Sequence, residues 1–163
     1  MSRAAVISLP SSLGVTIMKN ALLAVAMLAL VACAGTASKS AAPPAKDAFY
    51  RELGGTDGIT AVVDVFLRRL NADARINTLF RTVDHNDLRR LVIEQLCEAT
   101  GGPCKYTGRS MQEAHSGLNL TNADFDAFVE DLKASMNELK VPQASQKKLI
   151  GMLAPMKPQI VGQ

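Results

Sequence analysis

The chain has 163 residues, enough for one domain with a real hydrophobic core. Its formal charge of +3 overstates its basicity, because Arg3 and Lys19 fall before a cleavage point at Cys33; removing those two from 18 basic residues leaves 16 against 15 acids. A net +1 gives no reason to expect a nucleic-acid partner, and with no Trp and 4% aromatics the core must be mostly aliphatic.

Residues 1–32 read as an export segment. Residues 1–17 carry no recognisable signal, and Met18 stands where one should begin, so translation from Met18 is expected. Lys19 supplies a basic start. Ala21 to Ala32 form an apolar run of about a dozen residues, the length of a signal h-region and too short for a membrane-spanning helix. The run ends in Leu30-Val31-Ala32-Cys33, which resembles the lipobox of bacterial lipoproteins. That resemblance implies a lipidated Cys33 as the mature N-terminus. It also implies anchoring by two signals, strong enough to hold the chain at a membrane. Ala34 carries no acidic retention mark, so the expected site is the periplasmic face of the outer membrane. Residues 33–46 are small, polar and Pro-containing and read as a flexible tether. The folded domain is expected at 47–163.

From Asp47 onward the apolar spacing is helical, with no strand alternation and no internal repeat. Gly54-Gly55 permit a corner, Thr56 or Asp57 can cap the next helix, and Ile59, Val62, Val63, Phe66 and Leu70 share one face. A short segment, Ala74 to Phe80, follows. The next helix places Leu88, Leu91, Val92, Gln95 and Leu96 inward and stops at Thr100, since Gly101-Gly102-Pro103 cannot continue it. Thr121 caps a further helix, with Asp124 in its first turn and Phe125, Phe128, Val129, Leu132, Met136 and Leu139 inside. A last helix starts near Gln143 and buries Leu149, Ile150, Leu153, Met156 and Ile160, with Pro155 and Pro158 shortening its end. The spacing predicts an all-α domain of about five main helices.

The chemistry centres on His115, one of two histidines. Met111 lies four residues before it and Leu118 three after, so the three share a helical face. Such a histidine is either a core residue bonded to a backbone carbonyl or a metal ligand. No HxxxH or CxxC spacing supports a tetrahedral zinc site. Haem differs, because one axial histidine suffices within an apolar cavity.

Residues 49–161 resemble the truncated haemoglobins of group one. Leu53-Gly54-Gly55 is similar to the family's first glycine pair, and Phe66, Arg69 and Ala72-Asp73 to the end of its second helix. Phe80 stands where the family packs a phenylalanine on haem. Gly101-Gly102-Pro103 with Tyr106, Gly108 and Met111 resembles its second glycine motif, Ala114-His115 its proximal histidine, and Leu153-Ala154-Pro155 its final helix. The resemblance implies a two-over-two helical sandwich around haem b, with His115 Nε2 on the iron and Nδ1 donating to a carbonyl or water. It implies a haem wall of Phe66, Phe80, Leu88, Val92, Met111, Leu118, Phe125, Phe128 and Leu153, with Leu67 beside it. Any one of these could equally be ordinary core. Tyr106, Arg109 and Lys105 are candidates for the haem propionates.

The chain departs from this family on the distal side. Many relatives carry a tyrosine where Leu67 stands, and glutamine where Leu88 or Val92 stands. Gln95 lies one turn further along, too deep to substitute. An apolar distal side implies weaker oxygen retention, since a hydrogen-bond donor there stabilises bound oxygen. His85 begins the distal helix and is read as solvated, with approach to a propionate or, after a shift, to the iron as the alternative. Cys97 and Cys104 remain once Cys33 is lipidated; in an oxidising compartment they either pair or stay as one buried and one exposed thiol.

The implied function is reversible binding of oxygen, nitric oxide or carbon monoxide, serving oxygen transport or, with an unidentified reductase, nitric-oxide detoxification. No catalytic acid or base is assigned, because dioxygenation would be iron chemistry. A haem-holding or electron-transfer lipoprotein without oxygen chemistry is the alternative. A globin-fold interaction module without haem is the third reading.

Overall fold

A computed structural model of the chain describes residues 45–163. The export segment, Cys33 and nearly all of the tether lie outside the described residues. Asp47 flanks the first helix.

All regular structure among the described residues is helical. The elements are α1 (Ala48–Glu52), α2 (Gly55–Ala72), α3 (His85–Ala99), α4 (Met111–His115), α5 (Asn122–Glu138) and α6 (Gln143–Leu153). Two 3₁₀ segments, Asn77–Phe80 and Ala154–Gln159, follow α2 and α6. Four of the six, α2, α3, α5 and α6, are the longer helices that apolar spacing predicts; α1 and α4 are helices of only five residues, too short for periodicity to resolve. No described helix is long and apolar enough to cross a membrane.

α2 is the centre of the domain and packs on both α3 and α5. Its predicted inner face is the buried one: Ile59, Val62, Val63, Phe66 and Leu70 are all at most 5% exposed. From α5, Leu132 and Met136 meet this face, and Leu149 of α6 joins the same core. Leu139, expected inside, is instead 39% exposed, since α5 ends at Glu138 and the chain turns away through Lys140 at φ 56°. The edge of the Phe66 ring meets the Phe128 ring, with centroids 4.7 Å apart and an interplanar angle of 83°.

The helix ends follow local chemistry, with one departure. Thr121 accepts from the Asp124 N–H while Asp124 accepts from the Thr121 N–H, a reciprocal cap. Thr100 ends α3 and turns its hydroxyl back onto the Leu96 carbonyl at 2.7 Å. α2, by contrast, is not capped by Thr56 or Asp57: its flanking residue is Gly54, at φ 88°. Thr56 is occupied elsewhere, its N–H donating to the Tyr50 hydroxyl at 3.0 Å and its own hydroxyl bonded to the same oxygen. The prolines act as anticipated. Helical geometry ends at Leu153, and the chain continues as the 3₁₀ segment containing Pro155 and Pro158.

A haem-shaped cavity behind His115

α4 is short, and its sequence compensates at both ends. Ser110 caps it by accepting from the Glu113 N–H, and Glu113 reaches back to the Ser110 N–H at 3.0 Å. At the other end, His115 Nδ1 lies 2.7 Å from the Met111 carbonyl oxygen. A carbonyl can only accept, so Nδ1 is the donor, and in the neutral imidazole the lone pair is then on Nε2.

His115 lines a cavity of about 330 Å³, within the range of cofactor pockets. Phe66, Phe80, Leu88, Val92, Phe125, Phe128 and Leu153 line it together with Met111 and Leu118. These come from five separate helices and the segments after them, and the fold gathers them around one space. Leu91, Ile76, Leu79, Val83, Met156 and Ile160 complete the apolar wall. Leu79, Val83 and Leu118 are 36–50% exposed, the large apolar side chains at the rim.

Three expectations need correcting. Leu67 is not among the cavity-lining residues; it is buried in the core beside the Phe66 position, because one residue along a helix rotates the side chain by about 100°. Lys105 does not line the cavity either; its ammonium donates to Glu98 at 2.9 Å. Gln95 is not too deep: it lines the cavity, and its Nε2 lies 3.3 Å from Met111 Sδ and 3.6 Å from Met156 Sδ.

The other candidates are placed more simply. His85 is exposed at the start of α3 and outside the lining. Tyr106 and Arg109 line the cavity, the Tyr106 hydroxyl donating to the Arg109 carbonyl at 2.8 Å. Arg109 is the one Lys or Arg on this wall, where Asp84, Asp87 and Asp124 also stand. Asp84 and Asp124 are committed to capping α3 and α5, and Asp87 to Arg90. Among the described residues, no group of three or more His, Cys, Asp or Glu side chains could hold a metal ion. The cavity chemistry therefore suits a flat apolar group carrying its own metal, with a single protein nitrogen to ligate it.

Cys97 and Cys104 are joined, their Cα atoms 5.7 Å apart. The pairing ties the end of α3 to the loop that leads to α4. Gly102 sits inside this tie: a Cβ there would lie 2.6 Å from the Tyr50 ring and 2.7 Å from Cys97 Sγ, which only glycine avoids.

A small helical sandwich with an apolar cavity and one inward histidine has the architecture of a truncated globin. The chain belongs to the bacterial-like globin family, whose profile matches residues 48–161. It is 38% identical over 95 residues to the group 1 truncated hemoglobin of Tetrahymena pyriformis, covering 58% of this chain and 78% of that protein. It is 41% identical over 98 residues to the group 1 truncated hemoglobin of Synechocystis sp., covering 58% and 79%. The crystal structure of the Tetrahymena pyriformis truncated hemoglobin in its Fe(III) form superimposes with a TM-score of 0.68 at 32% identity, covering 71% of this chain and 98% of that one. The 2/2 hemoglobin of Synechococcus sp., solved with covalently attached heme, superimposes at 0.62 with 29% identity, covering 65% and 89%. The all-α two-over-two expectation is thus met.

Proposed function

We propose that this chain binds haem b in the cavity behind His115 and uses it to bind diatomic gases. The observation that carries the reading is the His115 Nδ1–Met111 carbonyl bond, which leaves Nε2 as the free nitrogen of a residue lining an apolar cavity. The solved relatives, a truncated hemoglobin in its Fe(III) form and a 2/2 hemoglobin with covalently attached heme, support the same cofactor. When bound, haem supplies the gas-binding iron.

The protein's own contributions are local. His115 holds the metal and, through Met111, keeps its ring in one tautomer and one orientation. Phe66, Phe80, Phe125 and Phe128 bury the ring faces and exclude water. Arg109, which among the described residues forms no ion pair with a carboxylate side chain, is the residue suited to a propionate. On the side of α3, Leu88, Leu91 and Val92 offer no hydrogen-bond donor, and the one amide there, Gln95, is turned onto the Met111 and Met156 sulfurs. Nitric oxide and carbon monoxide need such a donor less than oxygen does, so storage of oxygen at high affinity is disfavoured.

Export is part of this proposal. The lipobox-like Cys33 argues for a lipid anchor, with the domain facing the periplasm from the outer membrane. The Cys97–Cys104 pairing supports an oxidising compartment independently of the leader. The apolar distal wall favours one second reading, an electron-transfer protein that never turns over a gas.

The test is the absorption spectrum of the purified protein with one equivalent of haem, ferric and then ferrous with carbon monoxide. A stoichiometric, histidine-type carbonmonoxy Soret band supports the proposal; no saturable uptake refutes it. Nitric-oxide consumption with a supplied reductant separates gas chemistry from electron transfer.

A further inference from the structure

Residues 101–110, between α3 and α4, have no regular secondary structure, yet they carry Tyr106 and Arg109 to the cavity wall and deliver His115. Side chains of α3 hold this loop. Glu98 accepts the Tyr106 N–H at 2.9 Å with one carboxylate oxygen and the Lys105 ammonium at 2.9 Å with the other. One turn earlier, Glu94 accepts the Thr107 N–H at 3.0 Å and the Thr107 hydroxyl at 2.8 Å. Arg90 closes this group, donating to Glu94 and to the Thr107 hydroxyl oxygen, each at 2.7 Å. The only covalent member of the set is the Cys97–Cys104 bond.

The members differ in strength. The carboxylate contacts are partly or fully open to solvent and individually weak, so they keep the loop in register without locking it. The disulfide is anchored at one end in the core, because Cys97 is fully buried, while Cys104 is half-buried on the loop. An attacking thiolate therefore reaches Cys104 Sγ more readily than Cys97 Sγ.

We propose that Cys97–Cys104 is a redox-sensitive strap that sets how tightly the domain retains haem, an inference that rests on His115 being the iron ligand. A dithiol reductant opens it by thiol–disulfide exchange. One of its thiolates attacks Cys104 Sγ, the Cys97–Cys104 bond breaks and Cys97 leaves as thiolate. The second thiol then displaces Cys104 from the mixed disulfide. Two electrons and two protons pass to Cys97 and Cys104, and the reductant ends as its own disulfide. With the strap open, the loop keeps its carboxylate contacts and the Gly102 N–H bond to the Cys97 carbonyl, but His115, Tyr106 and Arg109 lose the covalent tie that they share. Haem loss accelerates by roughly three- to tenfold, the scale expected when a short closed loop regains part of its freedom.

The experiment loads the intact chain with haem and follows transfer to excess apomyoglobin, in the oxidised protein and after dithiothreitol treatment. Thiol counting by alkylation verifies that Cys97 and Cys104 have been reduced. A Cys97→Ala/Cys104→Ser double variant, which cannot form the strap, is run beside it. The proposal expects faster transfer from the reduced protein, and transfer from the variant at that faster rate, unchanged by dithiothreitol. Equal rates from oxidised and fully reduced protein overturn it, whether or not the variant folds. A chain that takes up no haem in either state overturns the haem reading beneath it; a chain that holds haem equally well in both overturns the strap alone.

Discussion

The proton on His115 Nδ1 is fixed by the Met111 carbonyl oxygen, 2.7 Å away and one helical turn earlier. Histidine and acceptor belong to the same five-residue helix, so the orientation of the ring depends on α4 remaining helical. That helix is too short to persist by backbone bonding alone, and its stability comes from its cap and its packing on the 3₁₀ tail.

Ser110→Ala is therefore expected to act on haem binding without touching the cavity. It removes the acceptor for the Glu113 N–H and half of the reciprocal cap. The expected cost is about 1 kcal/mol of stability, read by urea unfolding of the apo-protein, with weaker haem retention alongside. A variant as stable and as retentive as the parent would separate the cap from the site.

Phe66→Ala tests the core that shapes the cavity. Phe66 is 1% exposed and holds the edge-on contact with Phe128. Deleting the ring is expected to cost about 3–5 kcal/mol, measured by denaturant midpoint at unchanged slope. A loss under about 1 kcal/mol would mean that the neighbours collapse into the space.

The distal wall can be made polar again. Val92→Gln places an amide donor among Leu88, Leu91 and Val92, which offer none. A hydrogen bond to a ligand of partial negative charge is worth about 1.5–3 kcal/mol, so oxygen dissociation should slow by roughly ten- to a hundredfold. Carbon monoxide dissociation should change much less. Stopped-flow ligand replacement measures both, and an equal effect on the two gases would contradict an electrostatic origin.

Acid should loosen the loop before α4. Lys105 and the Tyr106 N–H hold the Glu98 carboxyl below its ordinary value of 4.5, and the Thr107 hydroxyl, with Arg90 and the Thr107 N–H, does the same for Glu94. Because folding lowers both values, their stabilisation is present above pH 4.5 and is lost as pH falls through the lowered folded-state values. Both groups keep contact with solvent, Glu98 more than Glu94, so screening keeps the effect modest. In a Glu94→Gln/Glu98→Gln variant, stability should fall less steeply with acid below pH 4.5 than in the parent. Parallel acid limbs in a pH series of melting curves would remove these carboxylates from the explanation.

What the sequence makes legible here is what repeats along it. Ile59, Val62, Val63, Phe66 and Leu70 announce the buried face of α2 by spacing alone, and Thr121 with Asp124 announces a helix start by residue type. Choices among distant partners carry no such signal. Thr56 is a good capping residue by type, but Tyr50, six residues earlier, claims it. Lys105 is cationic and close in sequence to the site, but Glu98 takes it. Leu67 follows a cavity residue directly, and helical rotation places it in the core instead. Gln95 is inward by its spacing on α3, but that its amide meets Met111 and Met156, from two other segments, has no such signal. Glu94 and Glu98 stand four apart on α3, a pattern that also describes an ordinary solvated face; their hold on Tyr106 and Thr107 emerges only in three dimensions.

The most direct measurement removes the histidine and returns its chemistry from solution. His115→Gly is titrated with haem and then with free imidazole, following the Soret region and the ferrous carbonmonoxy spectrum. The expected result is a weakened, altered haem spectrum that imidazole restores towards that of the parent, because the cavity persists and only the ligand is missing. A spectrum identical to the parent's before imidazole is added would show that His115 does not hold the iron.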